Sequence, residues 1–310
     1  MAGDVILLTG PTASGKSGVA LALARELDGV IVNADSMQVY ADLRVLTARP
    51  SDEEARQAPH LLFGHVDGAV NYSAGRWLAA VETALSALEA QGKVAILCGG
   101  TGLYFKALTQ GLSAIPAVPD AVRARVRAEA EARTPADLHA RLASCDPLTA
   151  ARLRPTDRQR ILRALEVFEA TGQPLASFQG RREPPRIAPG AAPRFFLAPD
   201  RAWLNARIDA RFAVMLRQGA LDEVQALAAR ALDLALPVMR AHGMPALLAH
   251  LRGEITLAEA ATRACLDTRH YAKRQATFAR HQLADFTPLA PEGAAERIVS
   301  EWRLWKGAVA

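Results

Sequence analysis

Short unbroken apolar runs punctuate the first third of the chain. Val5-Ile6-Leu7-Leu8, Val30-Ile31-Val32 and Val94-Ala95-Ile96-Leu97-Cys98 have no polar residue on either face. Runs of that length and uniformity predict strands covered on both sides, at residues 5–9, 30–34 and 94–98. Between them, apolar positions return at helical spacing over 16–27 and 74–91. Strand, helix and strand in alternation predict a parallel sheet with right-handed crossovers. Beyond residue 116 the period is helical, over 119–131, 136–143, 148–153 and 156–171. A loop rich in proline and arginine follows at 180–193, and Arg194-Phe195-Phe196-Leu197-Ala198 reads as one more sheet strand. From 201 to about 284 the pattern is helical almost throughout. The expected organisation is a core over 1–115, completed by the strand near 194–199 and a C-terminal helix near 268–310. A helical block with a basic face spans 116–192, and a second helical block spans 200–267. The joints are expected at 116–119 and 184–193.

In a parallel sheet, ligands collect at the carboxyl ends of the strands. The loop after the first strand reads Gly10-Pro11-Thr12-Ala13-Ser14-Gly15-Lys16-Ser17. This is the phosphate-cradling pattern G-x-x-x-x-G-K-[ST], set between a strand and a helix as its mechanism requires. Its N–H groups turn inward, the following helix aims its positive end at the same point, and Lys16 adds a charge. The Ser17 hydroxyl can reach Mg²⁺. The fold class is therefore α/β, a P-loop NTPase-like parallel sheet core with added helical blocks. The loop implies a polyphosphate without identifying it. The loops Asp35-Ser36-Met37-Gln38 and Gly99-Gly100-Thr101-Gly102 follow the other strands and are expected in the same crevice. Asp35 there can hold a cation through water, accept a proton from a nucleophile, or simply cap a turn. Thr101, between glycines, can hydrogen-bond an anion held by Lys16 or mark a tight turn.

Charge sharpens this picture. The net charge is +5, but it is concentrated. Ten arginines face five acids between Ala121 and Arg163, and five basic residues face only Asp267 between Arg263 and Arg280. Such blocks suit a polyanion larger than a nucleotide, or an ordinary solvated helix face. Arg123 stands early on one helix. Gln159, Arg160 and Arg163 stand on another, with the two arginines on one face. Arg207 and Arg211 form a further i, i+4 pair. Paired arginines suit phosphates through bidentate bonds, or else meet acids such as Glu166 and Asp209. No apolar stretch is long enough to span a membrane. No leader is expected before the first strand, and three distant cysteines fit a reducing cytoplasm.

Taken together, these motifs resemble the tRNA dimethylallyltransferase (tRNA isopentenyltransferase) family, bacterial type. The resemblance covers nearly the whole chain. It rests on residues 10–17, on Asn-Ala-Asp-Ser-Met-Gln-Val-Tyr at 33–40 and on Gly-Gly-Thr-Gly-Leu-Tyr-Phe-Lys-Ala-Leu at 99–108. It continues through Asp-Arg-Gln-Arg-Ile-Leu-Arg-Ala-Leu-Glu-Val at 157–167, Arg-Ile-Asp-Ala-Arg-Phe at 207–212 and Tyr-Ala-Lys-Arg-Gln at 271–275. The resemblance implies transfer of a dimethylallyl group from its diphosphate to N6 of the adenosine 3′ of a tRNA anticodon. It implies Asp35 as general base, with Lys16 and Thr101 on the leaving diphosphate and Mg²⁺ near Ser17. Gly10 to Ser17 and Arg211 would bind the diphosphate. By the same resemblance the tRNA anticodon stem-loop would meet Asp35, Ser36, Met37, Gln38, Thr101, Arg123, Gln159, Arg160, Ile161, Leu162 and Arg163. Arg240, Lys273, Arg274, Gln275 and Arg280 complete that set. A monomer is expected, without an obligate protein partner. The chain departs from the family where Val45-Leu46-Thr47-Ala48-Arg49-Pro50 replaces the usual Ile-Gly-Thr-Ala-Lys-Pro, and where Phe278 replaces a tryptophan.

Two other readings use the same residues. A small-molecule kinase would hold ATP in the loop, with the block 119–171 as a lid. An RNA-binding module would use the loop only to sense a nucleotide. An apolar pocket beside the phosphates favours the prenyltransferase, and a platform for a nucleotide base favours the kinase.

Overall fold

The computed structural model describes residues 4–180 and 182–309. The chain divides into two compact units, one made of residues 1–109 with 186–310, the other of residues 110–185.

The larger unit is built on a six-stranded sheet, parallel at every pairing. Its strands are β1 (Val5–Thr9), β2 (Gly29–Asn33), β3 (His60–Leu61), β4 (Val94–Gly99), β5 (Arg194–Leu197) and β6 (Thr287–Leu289), in the order β3-β2-β4-β1-β5-β6. Leu7 of β1 sits opposite Leu97 of β4, and Val32 of β2 opposite Leu97 on the other side. The pleat then sends alternate residues to opposite faces. Val5, Leu7, Val32 and Leu97 pack with Trp77, Val81 and Leu85 of the helix Ala74–Ala90. Ile6, Leu8, Ile31 and Ile96 pack with Leu23 of the helix Lys16–Glu26 and Trp302 of the helix Ala294–Val309. Both faces are covered, which is why the strands carry no polar alternation. The fold is the α/β, P-loop NTPase-like class read from the sequence.

Two edge strands escaped the sequence pattern. β3 has only two residues, and β6 contains Pro288, whose missing N–H confines it to an edge. The short helices Asp52–Gln57 and Gly102–Gln110 were likewise not anticipated. The stretch after 201 forms separate helices, Arg201–Arg217, Ala220–Ala229, Met244–Leu251 and Leu257–Gln282, with a 3₁₀ turn at Pro237–Arg240. Instead of one C-terminal helix from 268, Leu257–Gln282 ends, β6 intervenes, and Ala294–Val309 follows. These helices share a core with the segment after Asp35: Val39, Tyr40, Leu43 and Leu46 pack with Phe212, Met215, Val224 and Leu247. That shared core places the Arg207–Arg211 face beside the strand ends.

The smaller unit has its own core, formed by Val126, Leu138, Leu142, Ile161, Ala164 and Leu165. Its main helices are Asp120–Ala130, Pro135–Cys145 and Arg158–Thr171.

Candidate active site

The loop between β1 and the helix Lys16–Glu26 is shaped by left-handed backbone at Ala13 (φ 65°) and Gly15 (φ 92°). Gly15 caps the helix with no side-chain acceptor, so the first N–H groups face the loop unfilled. The Ser14 hydroxyl is buried there without a partner. Lys16 Nζ donates to Pro11 O at 2.7 Å. Burial lowers its pKa to about 8, opposed in part by Cys98 and Asp35 and reinforced by Arg211. Burial also pushes the Cys98 thiol up to about 11.

Asn33, fully buried at the end of β2, shapes the next loop. Its Nδ2 donates to Asp35 O and Leu62 O, each at 3.0 Å, and its Oδ1 accepts the Asp35 N–H at 2.8 Å. Asp35 Oδ1 accepts the Met37 N–H at 2.9 Å. Among the described residues no donor is directed at Oδ2. Thr101 Oγ1 accepts the Ser36 N–H at 2.9 Å and lies 3.2 Å from the Ser36 hydroxyl. The second and third loops are therefore tied directly to one another.

A third layer comes from the helix Arg201–Arg217. Arg211 Nη2 donates to Thr12 Oγ1 at 2.6 Å, and Arg207 Nε donates to Ala13 O at 3.1 Å. Neither pairs with Asp209, which Arg269 engages instead. Lys16, Ser17, Asp35, Arg207 and Arg211 line one crevice of ≈ 760 Å³. A smaller pocket of ≈ 60 Å³ adjoins Thr12, Asp35 and Arg211, and its other walls mix the apolar Met37, Leu46, Ile208, Phe212 and Met215 with Thr47, Thr268 and Tyr271. His242 closes it, with its ring centroid 4.1 Å from that of Tyr271. Burial pulls the His242 pKa below its ordinary value, the nearby Asp35 carboxylate opposing it.

Several sequence-derived candidates meet here: Gly10 to Ser17, Asp35 to Gln38, Thr101 and Arg211. Their present contacts refine the expected roles. Gln38 Nε2 is engaged by Thr47 O and Ala48 O at 2.9 and 2.8 Å. Gln275 is buried rather than open to RNA. Its Oε1 accepts the Thr12 N–H and its Nε2 donates to Gly100 O, both at 2.8 Å. Lys273, Arg274 and Arg280 on the same helix are exposed, as is Arg240. In the smaller unit, Ile161 is 0% exposed and belongs to the core, and Leu162 is half-buried against it. Their side chains face away from any ligand on the Arg160 surface, because the helical period turns them inward. Gln159 and Arg160 are exposed. Arg123 and Arg163 approach the buried Glu166 carboxylate at 3.9 and 3.8 Å, and Arg127 bonds to it at 3.0 Å. The sequence reading missed the pocket walls Phe212, Met215 and His242. Only Phe212, next to Arg211 in its motif, carried a local signal.

Among the described residues, no group of three or more His, Cys, Asp or Glu side chains is placed to hold a metal. Mg²⁺ in phosphate sites takes few protein ligands and several waters. The exposed Ser17 hydroxyl, at the unfilled helix end and on the same crevice as Asp35, suits that kind of coordination.

A phosphate nest that opens onto a carboxylate and a small, partly apolar pocket is the candidate site of this α/β, P-loop NTPase-like fold. The family comparison agrees: the model for IPP transferase matches residues 38–282, and the chain belongs to that family. It is 62% identical over 289 residues to a tRNA dimethylallyltransferase from Beijerinckia indica, covering 93% of this chain and 96% of that one. It is 61% identical to a tRNA dimethylallyltransferase from Methylobacterium nodulans, covering 96% and 99% of the two chains. Among solved structures it resembles the tRNA isopentenylpyrophosphate transferase of Staphylococcus epidermidis, with a TM-score of 0.68 and 28% identity over 99% of both chains. It also resembles a eukaryotic dimethylallyltransferase acting on tRNA, with a TM-score of 0.78 and 25% identity over 96% of this chain and 78% of that one.

Proposed function

We propose that this enzyme transfers the dimethylallyl group of dimethylallyl diphosphate to N6 of the adenosine 3′-adjacent to the anticodon in tRNA, releasing diphosphate. The similarity to tRNA dimethylallyltransferases over nearly the full length supports the reaction. The observation that carries it is the pocket that touches Thr12, Arg211 and Asp35 together and adds the apolar side chains of Leu46, Ile208, Phe212 and Met215. A five-carbon tail would lie there against those apolar side chains, beside its own phosphates.

The chemistry follows from the placement. The N–H nest, Lys16 and Arg211 neutralise the diphosphate as the allylic C–O bond breaks and its electron pair leaves with oxygen. Ser17 would help to hold a Mg²⁺ ion, whose charge would add to that neutralisation. Thr101, bonded to Ser36, holds the Asp35 loop against the Gly100 loop. The N6 lone pair forms the new C–N bond, and Asp35 Oδ2 takes the N6 proton. An adenine stacked in an anticodon loop must be extruded to reach this crevice. The exposed Lys273, Arg274, Arg280 and Arg240, with Gln159 and Arg160 on the smaller unit, would hold RNA phosphates. Cytoplasmic action as a monomer belongs to the same reading. No helix among the described residues is long and apolar enough to cross a membrane.

The test supplies unmodified tRNA with either dimethylallyl diphosphate or ATP and follows the small products. Inorganic diphosphate should appear only when RNA and the allylic donor are both present. Accumulation of ADP in the ATP arm would instead favour phosphoryl transfer.

A further inference from the structure

Gln275 is the one buried polar residue on the inner face of the helix Leu257–Gln282 whose side chain bridges two of the crevice loops. Its Oε1 accepts the N–H of Thr12 in the phosphate loop, and its Nε2 donates to Gly100 O, each at 2.8 Å. The amide lies against bare backbone: a Cβ at position 100 would come within 2.2 Å of Gln275 Nε2, so a side chain there would have to displace the amide. One turn further, Phe278 covers Gly102, where an added Cβ would meet its ring at 2.3 Å. The helix therefore seats Gln275 and Phe278 against the Gly100–Gly102 backbone. The opposite side of the same helix exposes Lys273, Arg274 and Arg280. Both loops held by Gln275 lead onward to reacting groups. Thr12 accepts from Arg211 through its hydroxyl, and the residue after Gly100 is Thr101, which holds the Ser36 N–H beside Asp35.

We propose that Gln275 is a positioning residue that couples RNA binding to diphosphate binding. Its amide locks the phosphate loop to the Gly100–Thr101 loop, and RNA on the cationic side of the helix holds that amide in place. This rests on the reading of those exposed cations as RNA contacts. A helix moves as a rigid element, so seating its outer face fixes what its inner face holds. The reverse also holds: diphosphate that orders the phosphate loop fixes Gln275 and the helix behind it. Such coupling is reciprocal, each ligand raising the affinity of the other by one factor, typically about 5- to 150-fold.

The test uses the full chain with two probes, inorganic pyrophosphate and an unmodified anticodon stem-loop RNA. Calorimetry gives the pyrophosphate dissociation constant with and without saturating RNA, and the readout is the ratio of the two. In the parent protein RNA should tighten pyrophosphate by about tenfold. In Gln275→Met, which keeps the length but neither hydrogen bond, the ratio should fall close to one. Looser packing that weakens pyrophosphate equally in both conditions leaves the ratio untouched, so it does not mimic the effect. Gln275→Glu keeps the acceptor for Thr12 and loses the donor for Gly100. It should retain part of the ratio, and it decides the matter if the methionine variant does not fold. An unchanged ratio in these variants, or a parent ratio of one, overturns the coupling. If the parent transfers the prenyl group but shows no coupling, only this proposal fails. If it binds neither probe, the proposed function fails as well.

Discussion

Arg211 donates from Nη2 to the Thr12 hydroxyl at 2.6 Å, joining the helix Arg201–Arg217 to the phosphate loop. The same guanidinium borders both the polar crevice and the smaller, partly apolar pocket. In the proposed reaction it would stand where the diphosphate meets its hydrocarbon tail. Lysine cannot reproduce the planar fork that bonds a hydroxyl and a phosphate at once. Arg211→Lys should lower kcat/KM for the allylic donor by about 10²-fold, the usual loss for one donor to a developing negative charge. Steady-state rates at saturating RNA with varied donor check this. An unchanged value would leave Arg211 as a loop anchor only.

Asp35 Oδ1 is occupied by the Met37 N–H, which leaves Oδ2 for the substrate. Asp35→Asn preserves the shape and that contact but removes the base. Single-turnover transfer should slow by about 10²- to 10⁴-fold, with RNA affinity close to the parent's in a binding assay. A parent-like transfer rate would remove the base role.

Lys16 gives a pH signature. Its ammonium form attracts diphosphate, and burial brings its pKa from the ordinary 10.5 down to about 8. The charge is present below that value and lost above it. Pyrophosphate affinity of the RNA-free enzyme should therefore fall as pH rises past about 8. Lys16→Arg stays charged across this range. The comparison of parent with variant isolates Lys16 from the ionisation of the ligand itself, and parallel pH curves would contradict the assignment.

How much of this was legible depends on how local each signal is. β1, the nest and Lys16 lie in one continuous segment, so strand, glycine spacing and helix could be read together. Asp35 and Thr101 were brought to the crevice by the rule that parallel strands deliver their loops to one end. Gln275 was expected on the RNA side because the family motif groups it with Lys273 and Arg274. Its partners Thr12 and Gly100 lie 263 and 175 residues away, and nothing local announces them. Pro288 disguised β6, and a two-residue β3 is too short for any period. Ile161 is a different case. Its i, i+3, i+4 spacing with Ala164 and Leu165 does place it inward, whereas the family motif grouped it with Arg160.

That last contrast separates fold from binding within one helix. Ile161→Ala should destabilise the protein by about 2–5 kcal/mol through the cavity it leaves. Arg160 is 75% exposed at its side chain, in a loose pair with Asp157 at 3.5 Å. Arg160→Ala should change stability by no more than about 0.5 kcal/mol. It should also weaken RNA binding and reduce the slope of log affinity against log salt by about one. Denaturant melts and binding at several ionic strengths measure both. An unaltered salt slope would return Arg160 to ordinary surface duty.

The most direct measurement of the central claim is the mass of the target nucleoside. Unmodified tRNA is incubated with the enzyme and dimethylallyl diphosphate, digested, and its nucleosides weighed. The account predicts that the adenosine following the anticodon gains one five-carbon unit on N6, with one diphosphate released per transfer. Recovery of that adenosine unchanged, from enzyme that binds both the RNA and the donor, would contradict it.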